Sequence, residues 1–281
     1  MTLKELFLQG RNILQNNSVD NSVNEARWIF EDVFDCSGDY IVFHADDIAD
    51  CDKASEYLKK INKRASGVPV QYIIGEWDFY GETFFVGEGV LIPRPETELL
   101  VDFAAEYLKD KKNPVVFDLC AGSGCIGLTV AKMFPEAKVF LLEKSDKALN
   151  YLLKNKEKLS VSNASVIQGD IFNGFGFFGF PRPDLILSNP PYINSDEIAY
   201  LQSEVLKEPV MALDGGADGL DFYRVIGDKW LNNCSGAVAV ECGEGQADDI
   251  KKLFSLQCSV VSSVADFNGI ERAVIGRKDK Q

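Results

Sequence analysis

From Pro114 onward, short apolar runs alternate with segments of helical period. The runs are PVVFDL from 114, KVFLLE from 138, SVIQGD from 165, DLILSN from 184 and AVAVEC from 237, with helical segments reaching about Met133 and covering SDKALNYLLKNKEKL from 145. They lack the polar alternation of a strand with one wet face, so they describe a parallel sheet buried on both sides. Parallel neighbours require right-handed crossovers, and the expected fold class is a doubly wound, Rossmann-like α/β domain. CSVVSSVAD and ERAVIGRK predict a closing antiparallel pair, with Asn268 and Gly269 supplying the turn. Periodicity leaves the strand order open.

Residues 1–70 follow another pattern. Thr2 with Glu5, and Ser22 with Glu25, have the spacing of a capping box, in which two side chains satisfy free backbone donors at a helix start. Val23, Ala26, Trp28, Ile29, Phe30, Val33 and Phe34, and later Ala54, Tyr57, Leu58 and Ile61, repeat at helical spacing. Gly67 and Pro69 end the last of these segments, which predicts a small helical bundle. Lys59, Lys60, Lys63 and Arg64 form a basic run on that helix and are expected to be a solvated face. Residues 71–91 are aromatic and β-branched and are broken by glycines at 75, 81, 87 and 89, which reads as a β-hairpin linker.

The balance of 29 basic against 43 acidic residues gives a formal charge of -14, which repels a phosphate backbone, so no direct nucleic-acid partner is expected. The start, MTLKELFLQGRN, lacks the apolar core of a signal peptide, and no later run reaches membrane-spanning length. The seven cysteines have no C-x-x-C spacing, and a single histidine is present, so neither a disulfide framework nor a metal site is expected. A reducing cytoplasm fits this usage. Disorder is expected only at the tail, 278–281.

The chemistry gathers at the ends of the apolar runs. The first passes through Asp118 and Leu119 into Cys120, Ala121, Gly122, Ser123 and Gly124, and a helix follows at once. Such a turn brings backbone and a helix N-terminus close to a ligand. It is not G-x-G-x-x-G, and it has no Walker lysine. Glu143 ends the second run about twenty residues later, where a ribose-binding acid belongs. The third ends in Gly169, Asp170, Ile171 and Phe172, an acid and apolar neighbours suited to an adenine.

The fourth run ends in Ser188, Asn189, Pro190, Pro191 and Tyr192. Two prolines remove two backbone donors and fix φ, so the carbonyls beside them stay free of sheet pairing. An NH2 group held by the Asn189 oxygen and the Pro190 carbonyl would aim its lone pair in the one remaining direction, and Tyr192 offers a flat face to a planar group. The only histidine, His44, lies in the helical region outside these motifs, which disfavours histidine-dependent nucleophile schemes. Arg94, Glu96 and Glu98 are candidates either for the site entrance or for surface ion pairs.

These residues resemble class I S-adenosylmethionine methyltransferases that modify planar nitrogens. Residues 67–75 (GVPVQYIIG), 92–99 (IPRPETEL), 214–220 (DGGADGL) and 241–246 (ECGEGQ) extend the resemblance, over almost the whole chain, to the HemK/PrmC-type release factor glutamine methyltransferases. The resemblance implies a helical N-terminal domain (1–70) that docks release factors, a hairpin linker (71–91) and a methyltransferase domain (92–281). It implies S-adenosyl-L-methionine as cofactor, held by Cys120, Ala121, Gly122, Ser123, Gly124, Glu143, Asp170, Ile171 and Asn189. It also implies that Asn189, Pro190, Pro191 and Tyr192 hold the substrate, the glutamine of the Gly-Gly-Gln motif in class-1 peptide chain release factors. The same catalytic motif would suit a ribosomal-protein glutamine methyltransferase or a base-methylating enzyme. The acidic charge speaks against the last of these. A binder of the cofactor without turnover would have no use for a grip on an amide.

Overall fold

The computed structural model describes residues 1–278; of the tail expected to be disordered, 279–281 lie outside them. The chain forms two compact units, one of residues 1–76 with 202–207, the other of 77–201 with 208–281.

The first unit is helical: α1 (Leu3–Asn16), α2 (Ser22–Phe34), α3 (Tyr40–Phe43), α4 (Cys51–Ala65) and α5 (Val70–Ile74). Leu6, Leu14, Ala26, Ile29, Phe30, Tyr57 and Ile61 are fully buried in its core. The Thr2 capping box forms as expected, with the Glu5 N–H donating to Thr2 Oγ1 at 3.2 Å and the Thr2 N–H to Glu5 Oε2 at 2.9 Å. The Ser22 box does not: Asn21 occupies the cap position and makes no side-chain cap bond. Glu25 is committed elsewhere, to Arg64, which is buried to 2% exposure and also paired with Glu204. Arg64 is therefore no part of a solvated face, and Lys60 of the same run pairs with Asp32. A buried guanidinium without carboxylate partners would be far too costly, so Glu25 serves the ion pair and not the cap.

Two short strands, β1 (Glu76–Phe79) and β2 (Glu82–Phe85), pair as a two-stranded sheet. The main sheet contains β3 (Val115–Leu119), β4 (Lys138–Glu143), β5 (Ala164–Gln168), β6 (Leu185–Ser188), β7 (Ala237–Glu241), β8 (Val260–Ala265) and β9 (Glu271–Arg277), in the order β5-β4-β3-β6-β7-β9-β8. The first five are parallel neighbours and β9 is antiparallel to both β7 and β8, so the expected closing pair is present. Alternate strand residues face opposite layers. Val116, Leu141, Leu187 and Ala239 pack with α6 (Glu98–Leu108), α7 (Cys125–Met133) and α8 (Asp146–Leu159). Phe117, Ile186, Val238 and Val274 pack with α9 (Asp221–Val225), its π-helical continuation Ile226–Trp230, and α10 (Ala247–Ser255). Phe175, Phe178 and Phe180, which the strand and helix patterns left unread, pad this second layer beside Trp230.

The chain turns to opposite sides of β3, to β4 on one flank and β6 on the other. Such a switch point opens a crevice outside the carboxyl ends of the strands. In the β3–α7 turn, Cys120 has φ +62°, Gly122 φ +55° and Gly124 φ +82°. Gly124 caps α7 and lies so close to α8 that an added Cβ would be 2.1 Å from Leu152 Cδ1, whereas one on Gly122 would meet nothing within 4 Å. Asp118, at the end of β3, accepts the Gly127 N–H at 2.8 Å with Oδ2, while its buried Oδ1 has no partner among the described residues. Burial, reinforced by the charge of Glu143 and opposed by the Gly127 bond, pushes its pKa from 3.8 up to about 7.

Two measurements check this account. Gly124→Ala should cost about 2–4 kcal/mol in denaturant unfolding, since backbone strain and overpacking add, whereas Gly122→Ala should cost only about 1–2 kcal/mol. Between about pH 4 and pH 7 the folded state holds a proton on Asp118 that the unfolded chain has already released, so stability falls as pH rises through that window. Asp118→Asn should remove that part of the slope.

Candidate active site

A cavity with about 980 Å³ of empty space, counted out to its open mouth, lies at the carboxyl edge of the sheet in the second unit. Cys120, Ala121, Gly122, Ser123, Glu143, Asp170, Ile171, Asn189 and Pro191 all line it. Gly124, Pro190 and Tyr192 are outside this lining. Gly124 shapes the turn, Pro190 is buried beside Asn189, and Tyr192 is half-buried with its hydroxyl 3.5 Å from Glu241 Oε1.

Glu143 stands where β4 ends and accepts three backbone N–H groups: Gly122 at 2.8 Å on Oε2, and Lys144 and Ser145 at 2.9 and 2.7 Å on Oε1. Burial raises its pKa, and the three donors partly offset that rise. The bonds hold the carboxylate rigid, and its oxygens keep acceptor capacity for further donors. Asp170 accepts the Phe172 N–H at 2.9 Å and meets Lys144 Nζ at 2.9 Å. Burial alone would raise its pKa, but the Lys144 ammonium and the Phe172 N–H hold it below the usual range. Ile171 is fixed from behind, its carbonyl accepting the Trp230 indole N–H at 2.9 Å.

At the end of β6 the Ser188 hydroxyl donates to the Leu119 carbonyl at 2.6 Å, pinning the two strands that flank the switch point. Asn189 follows. Its Nδ2 donates to Thr97 Oγ1 at 3.1 Å, and Thr97 Oγ1 donates to Glu241 Oε2. Asn189 Oδ1 is buried and has no hydrogen-bond partner among the described residues. The Tyr192 carbonyl accepts from Gln246 Nε2 at 2.8 Å, and Gln246 Oε1 in turn accepts the Gly243 N–H at 3.0 Å. Burial, with the charge of Glu96, raises the Glu241 carboxyl above its ordinary range, while the Thr97 bond and the Arg94 charge oppose the rise.

Arg94, Glu96 and Glu98 do not line the cavity; Thr97, between them, does. Arg94 is paired with the buried Glu208, which also accepts the Ile92 N–H at 3.0 Å, and Glu98 accepts the Tyr80 N–H at 2.7 Å. The segment is thus bolted down around Thr97. Thr97, Glu241 and Gln246 lie in the segments that carry the resemblance but received no role there, and Trp230 lies in none of the motifs. Glu241 left a signal, since it ends an otherwise apolar strand as Glu143 does.

His44 pairs with Asp47 at 2.7 Å and stacks on Tyr40 in the first unit. All seven cysteines are free, and no cluster able to hold a metal occurs among the described residues. Burial, together with the charges of Glu143 and Asp118, pushes the Cys120 thiol well above the usual thiol range, so it is no thiolate nucleophile. The lining includes Glu143, a rigid carboxylate at one strand end, and Asn189 at another, whose buried Oδ1 has no hydrogen-bond partner among the described residues. That set accepts hydrogen bonds from hydroxyl and NH2 groups.

The chain is similar to known proteins in both sequence and fold. The family model for the PrmC N-terminal domain matches residues 5–75, and that for the methyltransferase small domain matches 96–217. A release factor glutamine methyltransferase of Thermodesulfovibrio yellowstonii is 43% identical over 227 residues, 78% of this chain and 80% of that one. One of Geobacter sulfurreducens is 35% identical over 288 residues, 98% of this chain and 96% of its own. Among solved structures, the hMettl16 catalytic domain superposes with a TM-score of 0.57 at 14% identity, covering 80% of this chain and 79% of that one. A methyltransferase from Pyrococcus furiosus superposes at 0.51 and 17% identity, covering 81% and 98%. These two share the fold alone. By its sequence likeness to such relatives along nearly its whole length, the chain belongs to the release factor glutamine methyltransferases.

Proposed function

We propose that the protein transfers the methyl group of S-adenosylmethionine to the side-chain amide nitrogen of the glutamine in the Gly-Gly-Gln motif of class-1 peptide chain release factors. The observation that carries this reading is that Asn189, a residue of the cavity lining, has a buried Oδ1 without a hydrogen-bond partner among the described residues. An orphaned acceptor is costly in a folded protein, and a donor from a bound NH2 group would satisfy it. The family membership and the names of the relatives supply the identity of the acceptor.

The residues fit the cofactor. Glu143 retains acceptor capacity for ribose hydroxyls, the 120–124 turn brings backbone to the ligand, and Asp170 and Ile171 offer an acceptor and an apolar wall to an adenine. The bound cofactor would supply an electrophilic methyl on a sulfonium.

Amide nitrogen is a poor nucleophile because its lone pair is shared with the carbonyl. Asn189 Oδ1 and the Pro190 carbonyl would take the two NH2 hydrogens, turn the lone pair toward the methyl and stabilise the positive charge that grows on nitrogen. Pro191 and Tyr192 would confine the plane of the amide. A strong base is unnecessary, since an N-methylated, protonated amide loses its proton readily to water. The helical unit is assigned to docking the release factor, and the setting is the cytoplasm, where free cysteines stay reduced.

The test is transfer of labelled methyl to an intact release factor. We expect label on the wild-type factor, none once its motif glutamine is changed to alanine, and none on DNA oligonucleotides; transfer to DNA but not to the factor would overturn the reading. Asn189→Ala should slow single-turnover transfer by about 10²–10³ with little change in cofactor affinity, because its bond strengthens as charge develops. Glu143→Ala should do the reverse, weakening cofactor binding by roughly 1.5–3 kcal/mol in calorimetry.

A further inference from the structure

The two ends of a carboxamide occupy nearly the same space, so packing does not decide which of them an asparagine turns toward a ligand; its hydrogen-bond partners do. The Asn189 Nδ2 donates to Thr97, Thr97 donates to Glu241 behind it, and the Asn189 side chain also reaches the Glu241 carboxylate itself. Thr97 and Glu241 are 1% and 3% exposed, so neither exchanges its bond for one to bulk water.

We propose that Thr97, backed by Glu241, is a positioning residue that sets the orientation of the Asn189 side-chain amide and so makes the site an acceptor of NH2 groups. The hydroxyl of Thr97 carries one hydrogen. With Glu241 ionised, that hydrogen goes to its carboxylate, and Thr97 Oγ1 offers only lone pairs to Asn189. The reversed amide would set Oδ1 against those lone pairs with no hydrogen between them, and would leave Nδ2 buried without an acceptor. The observed orientation, Nδ2 to Thr97 and Oδ1 unpartnered, follows from this chain of three groups. Thr97 itself is held in place, being next to the segment that Arg94 and the Ile92 N–H tie to Glu208. Glu241 also stands 3.5 Å from the Tyr192 hydroxyl, so one buried carboxylate braces both ends of the 189–192 turn.

This inference rests on the proposed function for its kinetic readout but not for its structural one. Thr97→Val keeps the volume and removes the hydroxyl, Thr97→Ser restores it, and Thr97→Ala is a second deletion in case valine disturbs folding. In single-turnover transfer to an intact release factor by the full chain, Thr97→Val should be about 10–100-fold slower, with factor and cofactor affinities within about threefold of wild type. Thr97→Ser should regain most of that loss. In an Asn189→Ala background, Thr97→Val should change the rate less than about threefold, because residues acting as one unit are not additive. An undiminished loss in that background, or a serine variant as slow as valine, would overturn the proposal. Should the wild type transfer no methyl to a release factor, the proposed function fails by itself, and the side-chain NH2 signal of Asn189 in nitrogen-15 NMR still decides this inference. Its hydrogens should exchange at least about tenfold more slowly in the wild type than in Thr97→Val, and equal exchange would contradict the role of Thr97.

Discussion

A sheet covered by helices on both faces has only the ends of its strands left for polar chemistry. Here the covering is thorough: residues of β3, β6 and β7 are almost all inaccessible to solvent. The polar groups of these strands and of β4 collect at the carboxyl edge, as Asp118, Glu143, Ser188 and Glu241, and each is buried there. Burial obliges such groups to be hydrogen-bonded or to shift their ionisation. Glu143 is satisfied by three backbone donors, Ser188 by the Leu119 carbonyl and Glu241 by Thr97. Asp118 is half-satisfied, and burial raises its carboxyl as it raises those of Glu143 and Glu241.

In the proposed reaction the same obligation would give the site its selectivity. Each buried group uses its partners to fix a neighbour: Glu143 orders the 120–124 turn, Trp230 holds the Ile171 carbonyl, and the Glu241–Thr97 pair holds the amide of Asn189. What remains toward the cavity is acceptor capacity. In the proposed reaction that is the right property, because ribose hydroxyls and a carboxamide NH2 are both donors. The Asn189 oxygen has no hydrogen-bond partner among the described residues, and a donor from a bound substrate would satisfy it.

Much of this was legible in the sequence because a buried parallel strand is an uninterrupted apolar run, and a polar residue ending such a run stands out. Glu143, Asp170 and Asn189 were readable in that way, and so was the antiparallel closure from its turn residues. Long-range pairing was not. Nothing local in Ser22 and Glu25 reveals that Arg64 takes the carboxylate, and nothing in the run from Lys59 distinguishes the buried Arg64 from its lysine neighbours. Thr97 is separated from Glu241 by 144 residues, and only the folded sheet brings them together. The phenylalanine-rich stretch near 175–180 has neither helical nor strand period, since it packs as irregular turns on Trp230.

The account makes the site a set of acceptors, and the chemical identity of the accepted group tests that claim most directly. A release factor carrying glutamate in place of the motif glutamine has the same shape, and its carboxylate is intrinsically the better nucleophile toward a sulfonium methyl. At neutral pH that carboxylate has no hydrogen to offer Asn189 Oδ1 or the Pro190 carbonyl, and its charge would face two acceptors in a poorly solvated cavity. Mass spectrometry after incubation of each factor with the protein and S-adenosylmethionine should show the added methyl on the glutamine form and no methyl ester on the glutamate form. Comparable transfer to both would mean that the site does not select by hydrogen-bond acceptance, and the central claim would be wrong.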